Sequence, residues 1–322
     1  MFLLLFNFFE TPYGHAQSGN DAIKKDSATA VKNRSTDSTW KKINYKERVY
    51  LIGGIHAAGY AGTLAILSTT WYNDYPKTSF HIFNDSKEWL QVDKAGHAWT
   101  AYNIANYSSR LWQWSGLEHN RAVLLGGLSS IGYQTILELL DAHSSEWGWS
   151  WADMGANTFG AALFTTQELV WQKQKLILKF SSFPKRHAPM LQDRADALFG
   201  NTFPERLLKD YNGQTYWLSV NLASFGQTGI PKWLNLAVGY GATGMYGGFK
   251  NLAVDKAGAI IFDRRDIKRV RQWYLSPDID WTKIHTNKKG MRTLFSLMNM
   301  IKLPAPAVEF RKGKWKAHWL SF

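Results

Sequence analysis

From Trp233 to Met245 the chain reads WLNLAVGYGATGM, in which Leu234, Leu236, Val238 and Tyr240 alternate with Asn235, Ala237, Gly239 and Gly241. A period of two marks a strand with two unlike faces, because successive side chains point to opposite sides of the pleat. The same alternation occupies TYWLSVNLASF, where Leu218, Val220 and Leu222 alternate with Ser219, Asn221 and Ala223. RQWYLSPDIDW predicts a third strand, and Pro277, which has no N–H for a ladder, points to an edge or a bulge. AVEF and WKAHWLSF around RKGK predict a closing hairpin. About five strands result, fewer than the eight of the smallest membrane barrels, so an antiparallel sheet covered on one side by helices or membrane is expected.

Upstream the period is helical. Val49 to Leu67, VYLIGGIHAAGYAGTLAIL, carries no formal charge and has the length of a bilayer-crossing helix; Gly54, Ala58 and Gly62 would line one close-approach face. Trp71 and Tyr72 follow it where interfacial aromatics belong. A second helix is expected from Asp85 or Ser86 through KEWLQVDKAGHAWTAYNIANY, and a third over AVLLGGLSSIGYQTILELLD. A fourth should open at Ser150-Trp-Ala-Asp153, which has capping-box spacing. The apolar parts of the third and fourth, about twelve and thirteen residues, are too short to span alone. The fold class is therefore α+β: a signal peptide at 1–18, a disordered linker at 19–45, a partly membrane-embedded bundle of about four helices at 46–175, a connecting segment at 176–205 and a basic antiparallel β-rich region at 206–322. Leu320 and Phe322 have the character of an outer-membrane strand end, but Lys316 and His318 break the apolar face there.

The 322 residues include no cysteine, which excludes thiol chemistry, Cys-ligated zinc, disulfides and a lipidated N-terminal cysteine in the chain as written. Residues 250–322 hold sixteen Lys or Arg against six Asp or Glu, most of the net charge of +13. Such a surface attracts anionic lipid head groups as it would nucleic acid; the apolar run MFLLLFNFF with Ala16-x-Ser18 after it predicts export, so membrane lipid or an envelope glycan is the expected partner and nucleic acid is not.

Residues four apart share a helix face, so Asp93 points with His97, Gln134 with Glu138 and, one turn on, Asp141, and Asp153 with Asn157. Charged groups among apolar helices cost several kcal/mol unless paired, which predicts one shared polar cluster. Asp153 is explained by helix capping alone, and Asn157 by a helix-to-helix hydrogen bond. Asp93, His97 and Glu138 are the candidate acid–base group; oxygen ligation of a divalent ion is the alternative chemistry, although no standard metal motif, G-x-S-x-G or H-E-x-x-H is present, and the sequence leaves metal and cofactor unknown. Trp147, Trp149 and Trp151, two apart, do not share a helix face; they suit a membrane-surface loop or a sugar-stacking platform.

DKAGHAWTAY and ELLDAHSSEWGWSWADMGANTFGAAL, within residues 84–175, resemble the YfiM-like family of periplasmic lipoproteins of unknown function, with Asp93, Lys94, His97, Trp149, Ser150 and Asp153 at the motif positions. LLKDYNGQTYWLSVN and AVGYGATGMYGG resemble the extension of longer members. More distantly, Asp-Lys-x-x-His with Glu138, Asp153, Asn157 and Gly160 is similar to VanZ-like membrane proteins, in architecture and not in activity. The resemblance implies a Gram-negative envelope protein facing the periplasm. Its expected role is structural or binding of a small ligand or glycan, through Lys94, Gln134, Asp141, Trp149, Ser150, Asp153 and Asn157. The alternative is a membrane-embedded hydrolase or transferase acting on a lipid-linked or cell-wall substrate through Asp93, His97 and Glu138.

Overall fold

The computed structural model describes residues 44–67, 76–226, 229–255 and 257–321. The expected signal peptide, nearly all of the linker, Trp71, Tyr72 and Phe322 lie outside the described residues. Helix α1 (Tyr45–Leu67) is followed by α2 (Val92–Trp114), α3 (His119–Asp141) and α4 (Trp151–Trp171). Strand β1 (Leu176–Ser182) comes next, then α5 (Pro189–Phe199), α6 (Phe203–Lys209), β2 (Gln214–Val220), β3 (Leu234–Thr243), β4 (Leu252–Val254), β5 (Ile260–Asp263), β6 (Val270–Ile279), α7 (Lys289–Met298), β7 (Ala305–Arg311) and β8 (Lys314–Ser321). Helices therefore lead and an antiparallel sheet follows, as the change of period requires.

Small residues bring the bundle together. Ala98, Ala101 and Ala105 form a fully or nearly buried line on α2. Against it lie Gly126 of α3, where a Cβ would come within 2.7 Å of the Ala105 carbonyl oxygen, and Gly160 of α4, where a Cβ would overlap the Ala98 carbonyl. Contact this close leaves no room for side chains between the backbones, so the larger groups Tyr102, Val123 and Phe164 pack around it with Ile177 of β1. Helix α1 packs differently from expectation. Gly54 is exposed with open space in front of it, and the packed face is that of Ile52 and His56, whose ring stacks on Trp112 at 5.2 Å. Only 17% of its apolar window is buried, and by length and composition it can cross a membrane. Helix α3 meets the same test over 23 residues, longer than its apolar stretch suggests, but it packs against α2 and α4.

The second helix does not begin at Asp85 or Ser86. A short 3-10 turn, Glu88–Gln91, precedes α2, and Trp89, Leu90 and Gln91 all have positive φ (45°, 53° and 65°). Left-handed backbone costs non-glycine residues roughly 1–2 kcal/mol each. Here it is held by the Trp89 N–H donating to Gly248 at 2.8 Å and by the Trp89 ring against Phe199 and Tyr211. Asp85 is free of the capping duty because its carboxylate is engaged elsewhere.

The main sheet has six strands in the order β1-β2-β3-β6-β7-β8, with β4-β5 as a separate pair. The extra strand is β1, which lies with α5 and α6 in what reads from sequence as a connecting segment. β6 is interior, so Pro277 does not mark an edge strand; it lies opposite Leu236 of β3 and beyond the last β7 partner, Leu275. Register aligns side chains into rows across all six strands. One row is aromatic: Phe180, Tyr216, Tyr240, Trp273, Phe310 and Trp315. A parallel row on the same face is Leu178, Leu218, Val238, Leu275, Val308 and Ala317. Helix α2 and the turn before it cover part of this face, with Trp99 against Phe180 and Tyr216 and Leu90 at Tyr240, while Leu218, Val238, Trp273, Leu275, Val308 and Trp315 are exposed.

The opposite face is largely polar and is buried over β1, β2, β3 and β6. Lys179 pairs with Asp278 at 2.7 Å, Ser219 donates to Asp278 at 2.6 Å, and Gln272 donates to Glu309 at 2.7 Å. Lys316 and His318 lie opposite Glu309 and Ala307 on this face, so they do not interrupt the apolar one, contrary to the reading from sequence.

Candidate functional site

The left-handed turn aims the first turns of α2 into the bundle, where Asp93, Lys94 and His97 meet residues of α3 and α4. The Lys94 ammonium donates to Asp85 at 2.6 Å and Asp93 at 2.9 Å, and lies 2.8 Å from Asp153. His97 Nε2 stands 3.5 Å from Asp153 and 3.9 Å from Asp93; its Nδ1 faces Asn157 Oδ1 at 3.2 Å and Glu138 at 3.8 Å. Gln134 donates to the same Asn157 oxygen at 2.6 Å. The three polar pairs spaced four apart thus converge, and Lys94 joins them.

Ser150 caps α4, accepting the Asp153 N–H at 3.0 Å, as its spacing predicts. The Asp153 carboxylate is not used in that cap, which corrects the capping explanation of it: it faces Lys94 and His97, while the Ser150 N–H donates to Glu138 at 3.4 Å and the Ser150 hydroxyl to Asp85. Among the described residues no hydrogen bond reaches Gln134 Oε1, Glu138 Oε1 or Asn157 Nδ2, all buried.

A cleft of about 230 Å³ opens over Asp93, His97 and Asp153, with Phe83, Glu88, Trp89, Asp141, Trp147 and Tyr211 among its walls. Of the three closely spaced tryptophans only Trp147 lines it; Trp149 exchanges backbone hydrogen bonds with His81 and Phe83, and Trp151 is exposed. Asp85, Glu88 and Tyr211 are not visible in the helical spacing. Tyr211, which donates to Asp93 at 2.8 Å, arrives from the loop before β2.

The surroundings separate the carboxyl groups. Burial pushes Asp153 up to about 8 against the pull of His97, and pushes Glu138 up to about 7. Burial, with the charge of Asp93, raises Glu88 to about 7. Burial also favours neutral Asp93, but the charges of His97 and Lys94 outweigh it and hold that carboxyl below its usual range. For Asp85, hydrogen bonds with Asp153, Lys94 and Ser150 do the same. Burial disfavours charged His97, yet Asp93, Asp153 and Glu138 raise it. Asp93, His97 and Asp153 also present ligand atoms within 4.8 Å of one another. The Lys94 ammonium already contacts both carboxylates, so a divalent cation bound there would have to compete with it.

A carboxyl whose folded value is raised stabilises the fold below its unfolded value and loses that contribution as pH rises through the folded one. For Glu138 the window runs from about 4.5 to about 7. Glu138→Gln keeps the shape without the charge, so its stability relative to the parent should rise by roughly 2 kcal/mol between pH 5 and pH 8. Glu138→Ala removes the same titration but leaves the Ser150 N–H unpartnered, so it should lie about 1–3 kcal/mol below the Gln variant at both pH values. Urea denaturation at the two pH values measures this, and a pH-independent Gln variant would mean that Glu138 is solvated.

Fold and site define an α+β protein with a partly buried carboxylate–histidine–lysine cluster set between three helices of a bundle. Residues 81–167, which hold that cluster except for Tyr211, match the family described as "Predicted periplasmic lipoprotein (DUF2279)". Comparison with curated proteins and with solved structures gives no match.

Proposed function

We propose that this is an exported envelope protein whose cleft binds a hydroxyl-rich ligand, an envelope glycan or the saccharide part of a lipid-linked precursor. The observation that carries this is the joint presence of the Trp89 and Trp147 rings with Glu88, Asp93 and Asp141 around one cleft. Flat rings stack on the apolar faces of sugars, and carboxylates accept their hydroxyl hydrogen bonds. The family description supports the periplasmic location, and α1, apolar and little buried, supports a membrane anchor. A second reading, hydrolysis or group transfer, is favoured by the split between Asp93, held ionised, and Asp153, pushed up to about 8: one carboxylate suited to accept a proton and one to donate it at neutral pH.

Titration calorimetry with chitotetraose and with a soluble disaccharide-peptide fragment of cell wall tests the binding. Trp147→Ala and Asp93→Asn should each weaken it by about tenfold or more, roughly 1.4 kcal/mol, and exposed Trp151→Ala should not. Heat-silent titrations with both saccharides would remove the glycan reading. Release of new reducing ends by the parent and not by Asp153→Asn would establish the second reading.

A further inference from the structure

The main sheet is arranged the reverse way to a half-buried sheet in water. Its ion pairs and amides are inside, while its exposed face carries the aromatic and aliphatic rows, with Leu218, Val238, Trp273, Leu275 and Val308 each about 40% exposed or more except Leu218 at 37%. Polar-in, apolar-out alternation beneath an aromatic row is what lipid-facing strands show. A continuous apolar patch of this kind is rare on a protein surrounded by water. We propose that this face is embedded in a lipid membrane.

The order of the rows along the strands gives the orientation. On β3 the apolar positions Leu234, Leu236 and Val238 lead to Tyr240, a distance on the order of 20 Å at about 3.3 Å per residue. Beyond the aromatic row lie exposed Arg271, Arg311, Lys312 and Lys314. Aliphatic residues, then rings, then cations is the sequence of environments from acyl chain through interface to anionic head group. The basic charge of the C-terminal region thereby acquires a position: it borders the apolar band and does not replace it.

The depth is limited by the outer edge of β8, which has no neighbouring strand among the described residues. An unpaired strand edge is not tolerated in hydrocarbon. The sheet is therefore embedded by its face in one leaflet, with β3 and β6 deepest and the β8 edge at head-group level. Attachment through acyl chains resists salt, whereas a sheet resting on head groups by charge alone would be released by it.

Because the chain lacks cysteine, single-cysteine variants report one position each. The full chain, reconstituted in vesicles of phosphatidylcholine and phosphatidylglycerol, carries an environment-sensitive fluorophore at Val238→Cys, Leu275→Cys or Val308→Cys, with exposed Asn201→Cys as reference. Labels at 238, 275 and 308 should be quenched by acyl-chain nitroxide lipids and shielded from aqueous iodide at low and high salt; the label at 201 should behave oppositely. Adding Val238→Asp and Leu275→Asp should reduce lipid quenching of the 308 label by about tenfold, as charges on a lipid-facing strand do. Labels at 238 and 275 open to iodide would overturn the proposal, even with the chain held on vesicles by α1. Labels shielded from both quenchers, with cross-linking between chains, would overturn it in favour of a second copy on this face.

Discussion

Gly160→Ala is expected to lower the melting temperature by on the order of 10 °C, although it adds a single methyl group and exchanges glycine for the best helix former. The new Cβ would overlap the Ala98 carbonyl oxygen, which is backbone of α2 and cannot rotate away. The two helices must separate, and overpacking of this kind costs about 3 kcal/mol or more. Gly160 lies one turn beyond Asn157, so the separation also breaks the 3.2 Å contact between His97 and Asn157. Gly155→Ala on the same helix is the control. It has nothing within 4 Å and should be neutral or stabilising by up to about 1 kcal/mol. Thermal melts of the two variants decide the matter. If both behave alike, α2 and α4 do not approach as closely as described, and the geometry of the cluster fails with them.

Lys94→Met should cost about 3–5 kcal/mol at neutral pH, because Asp85 and Asp93, both held ionised, then lose the ammonium that pairs with them and are left with His97 to balance them. The pH dependence distinguishes this from lost packing. Asp93 and Asp85 have depressed values in the parent, so their stabilising contribution is present above the ordinary carboxylate value and is lost as pH falls through the depressed one. Without Lys94 these carboxyls take up protons at higher pH than they do in the parent, and once protonated they need no counter-charge. The difference between parent and variant should therefore shrink steeply on acidification. Chemical denaturation at pH 7.5 and pH 4 measures it, and an equal difference at both would assign Lys94 to packing through its alkyl chain.

The polar pairs were legible because a helix converts a spacing of four into a shared face, and because unpaired charge cannot be left among apolar helices. That is enough to read Asp93 with His97, Gln134 with Glu138 and Asp153 with Asn157, and to expect that they meet. Asp85 and Glu88 enter through a left-handed turn, and Tyr211 from a loop more than a hundred residues further on, where no periodicity operates. The capping explanation of the Asp153 carboxylate fails for a related reason. Its spacing to Ser150 satisfies a cap, but a cap uses only the backbone N–H, and the direction of the carboxylate depends on which helix lies opposite.

The amino-acid sequence by itself determined the α+β order, the start of α4, the two-faced strands and the closing hairpin, because each follows from local period and capping chemistry. β1 escaped because LILKFSS contains Lys179, whose burial is offset by Asp278 and the Ile279 carbonyl, about a hundred residues away. Which face of the sheet turns inward was likewise a tertiary decision. Alternation states that the two faces differ, but it is silent on which of them is buried, since that depends on the medium outside. Only the packing of polar residues against one another, with the aromatic row left exposed, assigns the inner face to hydrogen bonds and the outer one to apolar contact.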